Sequence, residues 1–323
     1  AARRHVHLLF YIYADDDTGR RVADALYRAV ERGVECRLLV DSVGSARMLK
    51  RLGPQIRERG VELHEMLPVG IFRRRVARID LRNHRKLAVI DGRIAYTGSQ
   101  NIVDANYGHK DLAWHDMMAR LTGPAVLELQ AVFLADWYFD TDEILDTDAI
   151  FPDAPVSGEI PVQTLPSGPT YPTENYQRMV VAAVHDAREH VILTTPYFVP
   201  DEPFMQALEV AVLSGVKVEL IVPHRSDRWL VTLASQAYFG ELLDAGVKLH
   251  LYDAGLLHAK TMTIDRSLAL VSSANLDRRS FELNFEVSMV VYDSDFASHL
   301  RLLQRAYIGR SRAVSAADWR RRR

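Results

Sequence analysis

Two short strings in this chain gather residue types suited to phosphoryl chemistry. The first is His84-Arg85-Lys86-Leu87-Ala88-Val89-Ile90-Asp91, followed seven residues on by Gly98-Ser99-Gln100-Asn101. The second is His258-Ala259-Lys260-Thr261-Met262-Thr263-Ile264-Asp265, with Ser272-Ser273-Ala274-Asn275 at the same distance. In an extended segment residues i and i+2 project from one face. His84 with Lys86, and His258 with Lys260, therefore point into a common space. A phosphodiester is negatively charged and repels anionic nucleophiles, whereas a neutral imidazole can attack phosphorus and form a covalent phosphohistidine. A second, protonated imidazole can give the leaving alkoxide its proton and then deprotonate the incoming alcohol. The two ammonium groups, with Ser99, Asn101, Ser273 and Asn275 as further donors, suit the phosphoryl oxygens on which charge accumulates. Such chemistry needs no metal and no other cofactor.

Four carboxylates belong with these strings. Asp91 and Asp265 each close a strand whose apolar residues (Leu87, Val89, Ile90; Met262, Ile264) read as core. From the residues alone they read as structural carboxylates, pairing with backbone or with a basic group. A histidine that acts as nucleophile or acid also needs its second nitrogen oriented. Glu286, in Leu283-Asn284-Phe285-Glu286-Val287, is the candidate in the second half and is expected to serve His258. Asp116, which opens Met117-Met118-Ala119-Arg120-Leu121, is its counterpart in the first.

What positions these groups is an internal repeat at an offset of roughly 175–185 residues. Each half opens with a β-rich run, His5 to Tyr13 and His190 to Phe198. An amphipathic helix follows each run, marked by Val22, Leu26, Ala29 and Val30, then by Phe204, Leu208, Ala211 and Val212. Each helix ends at a glycine, Gly33 or Gly215, in the C′ position that glycine favours, and a strand begins directly after it. A second helix and a second Gly-Val strand start follow at Gly60 and Gly246. Alternating strands and helices predict an α/β class, with two similar domains built on mixed sheets flanked by helices. The first is expected over residues 1–150 and the second over 173–323, with the active site between them. Residues 151–172 hold six of the thirteen prolines and read as a linker with a short entry strand, Ile160 to Leu165.

Composition narrows the function class. A net charge of −2 gives no field that would draw a nucleic acid, so anion binding must come from local clusters. One cysteine, Cys36, excludes an internal disulfide and any cysteine-based zinc site; it reads as a buried, inert thiol. His5 and His7 alternate with apolar residues on a strand, and two histidines alone are too few for a metal site. No apolar stretch approaches the ~18–20 residues that span a bilayer. The chain opens with Ala1 rather than Met, and a longer product is expected.

The paired His-x-Lys-x4-Asp motifs resemble those of the phospholipase D superfamily. The longer strings are most similar to bacterial cardiolipin synthases: Asn83 to Gly92 through Ala95 to Asn101, Thr195-Pro196-Tyr197-Phe198-Val199-Pro200-Asp201-Glu202, and Asn275 through Glu286. The resemblance covers essentially the whole chain. It implies a phosphatidyltransferase that joins two phosphatidylglycerol molecules into cardiolipin and releases glycerol. His84, Lys86, Asp91, His258, Lys260 and Asp265 are then the active-site set, and His84 is favoured as nucleophile. The resemblance further implies work at the bacterial inner membrane, with transmembrane helices ahead of this stretch and a short tail after it. One departure is visible: Ser272 stands where glycine is usual before Ser273, so that turn is expected to differ slightly.

Arg73, Arg74, Arg75, Arg78, Arg82 and Arg85 cluster just before and within the first motif. The stretch from Gly60 to His84 is twice the length of its counterpart from Gly246 to His258. An arginine-rich insertion carrying Ile71, Phe72 and Val76 suits anionic head groups, and Arg73, Arg74 and Arg75 are expected at the membrane surface. Arg82 and Arg85, flanking His84, would favour its neutral, nucleophilic form. A phospholipase that uses water as acceptor shares every one of these features with the transferase. A nuclease would call for a basic groove with stacking aromatics, which a near-neutral chain does not offer. A lipid-binding module without activity would be expected to have lost a histidine or lysine, and all four are present.

Overall fold

The structure is a computed structural model that describes residues 1–69, 80–108, 111–145, 150–153, 156, 158–227 and 229–321. The arginines at 73, 74, 75 and 78 lie outside the described residues. The first half runs β1 (His5–Phe10), α1 (Asp17–Val30), β2 (Glu35–Asp41), α2 (Ala46–Arg51), α3 (Gly53–Glu58), β3 (Glu62–Met66), β4 (Arg82–Asn83), β5 (Lys86–Ile90), β6 (Ile94–Gly98), β7 (Trp114–His115), β8 (Met118–Thr122) and α4 (Ala125–Thr141). The second runs β9 (Val162–Ser167), α5 (Asn175–Asp186), β10 (His190–Thr194), β11 (Phe198–Val199), α6 (Glu202–Leu213), β12 (Lys217–Pro223), α7 (Trp229–Ala245), β13 (Lys248–Tyr252), β14 (Leu256–Leu257), β15 (Thr261–Ile264), β16 (Leu268–Ser272), β17 (Leu276–Asp277), α8 (Arg278–Glu282), β18 (Asn284–Tyr292), α9 (Ser294–Gly309), β19 (Ser311–Val314) and α10 (Ala316–Arg320).

These elements form two compact units, neither of which is contiguous in sequence. One holds Ala1–Asp104, Met118–Glu159 and Leu283–Val287; the other holds Ala105–Met117, Ile160–Glu282 and Ser288–Arg323. The first unit contains a mixed sheet of order β3-β2-β1-β5-β6-β8. The second contains the path β19-β13-β12-β10-β15-β16-β18, with β9 also paired to β18. From β3 and β13 onward the two orders correspond strand for strand, which is the repeat expressed as topology. In each, three parallel strands meet three antiparallel ones at the motif strand: β1 pairs β5 with Phe10 opposite Lys86, and β10 pairs β15 with Thr194 opposite Thr261.

Local sequence explains the boundaries. Asp16 caps α1 by accepting from the Gly19 amide at 2.9 Å, and Asp201 caps α6 through Phe204. Gly33 and Gly215 end those helices at φ of 81° and 89°, where any other residue would be strained. The β-rich opening runs are shorter than expected. β1 stops at Phe10, and the second run breaks at Pro196 into β10 and β11, because proline cannot donate to a ladder. The entry strand of the linker is shifted two residues, to Val162–Ser167, where it pairs with β18.

Apolar burial follows the sheets. Leu38, Leu39, Val40 and Ile56 are fully buried in the first unit, as are Leu193, Leu220, Phe204 and Leu208 in the second. His7 is packing material: it stacks on Phe133 at 4.5 Å and meets Gln130, and burial pushes its imidazole down to about 3. Cys36 is buried, and burial pushes its thiol up to about 11.

Candidate active site

In the first unit His84 sits two residues ahead of β5, held by a backbone bond from its amide to the Phe285 carbonyl at 2.9 Å. Its Nδ1 lies 3.0 and 3.1 Å from the two oxygens of Glu286, whose side chain is fully buried. That contact fixes the ring and turns Nε2 away from the carboxylate. Lys86 returns its ammonium to the His84 carbonyl at 2.5 Å. Tyr11 closes over both: its ring is 4.9 Å from the imidazole, and the Lys86 ammonium is 5.3 Å from the ring centre.

The second unit repeats the arrangement with different parts. His258 Nδ1 is 2.5 Å from Asp116 Oδ1, and the Lys260 ammonium is 2.7 Å from the His258 carbonyl. Trp114 takes the aromatic place, 4.6 Å from the His258 ring. Backbone bonds from His258 and Ala259 to the His115 carbonyl, with β14 paired to β7, hold the motif against the segment that carries Asp116.

The two carboxylates named from sequence are thus present, but their pairing is exchanged. Glu286 was expected beside His258 and instead meets His84; Asp116 meets His258. The reason is topological. β4, just ahead of His84, pairs in parallel with the opening of β18, Arg82 opposite Asn284 and Asn83 opposite Phe285, which brings Glu286 to the first motif. Glu286 is the third residue of β18 and so lies within the strand.

Arg82 and Arg85 do not act as unpaired cations next to His84. Arg82 pairs with buried Asp41 at 3.3 Å. Arg85 pairs with both oxygens of Asp136, at 2.5 and 2.6 Å, and donates Nε to the Glu286 carbonyl at 3.0 Å. Asn83 links the two pairs: its amide N–H donates to Asp41 and its side chain to Asp136, each at 3.1 Å. A guanidinium compensated by a carboxylate has little charge left to bias an imidazole, so the local reason for asymmetry offered by the sequence falls. Asp41 and Asp136 carry no motif, and only the buried arginines beside them in space mark them.

Asp91 and Asp265 lie at the far ends of the motif strands, five residues past their lysines and about 16 Å away along an extended chain. Asp91 accepts from the amides of Arg3, Arg4 and His5 at 2.7–3.1 Å; Asp265 accepts from Arg188, Glu189 and His190 at 2.8–2.9 Å. Both adopt left-handed backbone, φ 56° and 48°. Burial works against their ionisation, but the three backbone donors outweigh it and hold each carboxyl below its ordinary range. They clamp the entry of the first strand of each sheet.

Ser99 and Ser273 are fully buried directly after the strands that neighbour the motifs. Asn101 accepts from the Ile12 amide at 3.1 Å, which commits its oxygen to the turn after β1. Asn275 donates its backbone N–H to Ser280, while its side-chain oxygen is buried with no protein partner. Gly98 adopts φ 152°, a conformation Ser272 does not share. Ser272 instead closes its turn through its hydroxyl, to Ser288 at 2.7 Å and from the Ala274 amide at 2.9 Å. Among the described residues no group of three or more His, Cys, Asp or Glu is placed to hold a metal ion.

Comparison with known proteins gives this geometry its context. The family model described as "Cardiolipin synthase, PLD-like domain" matches residues 1–137 and 180–303. The chain belongs to this family. Cardiolipin synthase A of Pectobacterium carotovorum subsp. carotovorum (strain PC1) is 41% identical over 330 residues, covering 99% of this chain and 68% of that protein. Cardiolipin synthase A of Proteus mirabilis (strain HI4320) is 40% identical with the same coverage. The fold is shared with phosphatidylserine synthase of Haemophilus influenzae Rd KW20, at a TM-score of 0.72 and 14% identity over 97% of this chain and 83% of that one. The chain is thus a cardiolipin synthase-like enzyme with the phospholipase D-like fold. No helix among the described residues is long and apolar enough to cross a membrane.

Proposed function

We propose that this enzyme makes cardiolipin from two phosphatidylglycerol molecules, with release of glycerol, through a covalent phosphohistidine. The observation that carries the reading is that each motif histidine has its Nδ1 held by a carboxylate, leaving Nε2 for chemistry. In the first step His84 Nε2 attacks phosphorus. The N–P bond forms, the P–O bond to the departing glycerol breaks, and protonated His258 gives glycerol its proton. In the second step His258 takes the proton from a glycerol hydroxyl of another phosphatidylglycerol. That oxygen attacks phosphorus and the N–P bond breaks. Lys86 and Lys260 stabilise the phosphoryl oxygens, aided by Ser99, Ser273, Asn101 and Asn275.

Asp91 and Asp265 serve in this scheme as clamps, and Asp116 and Glu286 orient the histidines. Residues 1–150 and 173–323 are the two repeats, joined by 151–172. The enzyme works on anionic phospholipid at the surface of the cell membrane, to which Arg73, Arg74 and Arg75 contribute attraction of up to about 1 kcal/mol per charge.

The test is incubation with phosphatidylglycerol vesicles followed by identification of products. Cardiolipin and free glycerol in equal amounts are expected, with activity surviving excess EDTA. Phosphatidic acid in place of cardiolipin would make water the acceptor. Loss in EDTA that zinc or magnesium restores would overturn the metal-free scheme.

A further inference from the structure

Helix α7 is built the wrong way round for a helix facing water. Its core side carries Ser235, Phe239 and Leu242. The residues exposed over its first three turns are Trp229, Leu230, Leu233, Ala234 and Ala237, a helical stripe without one polar side chain. Trp229 is 69% exposed, Leu230 63% and Leu233 55%. Charge returns to the exposed side only at Glu241 and Asp244. Exposed single leucines are ordinary, whereas a contiguous stripe with a tryptophan at its end marks a contact surface.

The stripe is placed where a lipid substrate would approach the His258 motif. α7 starts just past the C-terminal end of β12. At that same end of the sheet, Thr194 of β10 pairs with Thr261, which directly follows Lys260. Ligands of parallel strands bind at this end. The start of α7 is also tied to β11 and the residue ahead of it: Tyr197 donates its hydroxyl to Asp227, two residues before the helix, at 2.6 Å, and Phe198 donates its amide to Ser235 in the second turn at 3.2 Å. Thr195 in that segment accepts from the Leu276 amide, next to Asn275. Cations flank the stripe: Arg225 is exposed four residues before Trp229, and Arg312 contacts His224 at 3.1 Å.

We infer that the first three turns of α7 seat on a phospholipid bilayer, with Trp229, Leu230 and Leu233 in its interfacial layer and Arg225 and Arg312 among anionic head groups. The inference rests on the proposal that the substrate is a bilayer lipid. A protein partner fits less well. Trp229, Leu230 and Leu233 together expose roughly 400 Å², against about 800 Å² that a stable protein interface covers on each side. A bilayer accepts such a wedge of any shape, and tryptophan favours its interface.

Trp229 reports on this directly, because Trp137 and Trp319 are buried and Trp114 is half-buried. Vesicles of phosphatidylglycerol and phosphatidylcholine should shift its emission to the blue, and lipids brominated near the head group should quench it. Trp229→Phe should remove both signals. The triple variant Trp229→Ser/Leu230→Ser/Leu233→Ser should bind vesicles at least tenfold more weakly and turn over vesicle lipid correspondingly more slowly. Its activity on soluble short-chain phosphatidylglycerol should be unchanged. An unshifted Trp229 on vesicles that bind the protein would overturn the inference, as would a blue shift without lipid that grows with protein concentration, which would make a second copy the occupant. Fluorescence does not depend on turnover, so Trp229 insertion with no cardiolipin formed from either substrate would sink the proposed reaction and leave this surface standing.

Discussion

Arg85 and Ala259 occupy the same place in their motifs, between histidine and lysine, and both are buried. Arg85 is locked to Asp136 and to the Glu286 carbonyl, within a network that reaches Asn83, Asp41 and Arg82. Ala259 packs with Ile192, Ile221, Tyr252 and Leu257. One imidazole–carboxylate pair is therefore framed by buried ion pairs and the other by hydrocarbon. The orienting groups differ in placement: Glu286 is fully buried within a strand, and Asp116, its side chain 10% exposed, sits between β7 and β8. Either frame can fix a ring. They differ in how they fail, since a broken buried ion pair strands a charge while a trimmed apolar contact leaves a small cavity.

The largest expected effect would show that the two halves are equally required despite their frames. His84→Ala and His258→Ala should each abolish turnover of phosphatidylglycerol while the protein stays folded by circular dichroism. Lys86→Ala and Lys260→Ala should each slow it by on the order of 10²–10³, as for loss of a preorganised donor to developing charge. More than a few per cent of activity left in either stable histidine variant would break the equivalence.

The frames themselves separate next. Arg85→Met leaves Asp136 buried and unpaired and should cost about 3–5 kcal/mol in denaturant unfolding. Arg85→Met with Asp136→Leu should recover much of that, because no charge is then stranded. A single variant that loses no stability would show that the ion pair does not frame His84.

A smaller effect concerns the clamps at the far ends of the motif strands. The depressed carboxyl of Asp265 contributes stability that is fully present above the ordinary aspartate pKa of about 3.9. That stability is lost as pH falls through the lower folded value. Asp265→Asn should therefore cost about 1–3 kcal/mol at pH 7 and flatten the fall in stability below about pH 4. The rate at pH 7 should hold under conditions where the variant is folded. A rate loss like that of Lys260→Ala would return Asp265 to the chemistry.

The repeat, the motif strands and both carboxylates were legible in the sequence because each leaves a local mark: a glycine after a helix, an i, i+2 spacing, a carboxylate at a strand. The exchange of Glu286 and Asp116 was not, because it depends on β4 pairing with β18 across roughly 200 residues. Tyr11 and Trp114 look like ordinary strand aromatics until their rings are seen at 4.9 and 4.6 Å from the histidines. Asp41 and Asp136 were equally silent, since a buried ion pair has no fixed spacing. Arg82 and Arg85 misled for the same reason: adjacency to His84 in sequence said nothing of the carboxylates that neutralise them.

In the proposed reaction a motif histidine, His84, carries the phosphatidyl group between donor and acceptor. The most direct test is to quench a reaction on labelled phosphatidylglycerol and locate the acid-labile phosphoryl adduct by peptide mapping. Label on the peptide holding Asn83 to Lys86, absent from His84→Ala, is the expected result. Label confined to the peptide holding Leu257 to Lys260 would contradict the assignment to His84, and turnover without label on either peptide would contradict the covalent scheme.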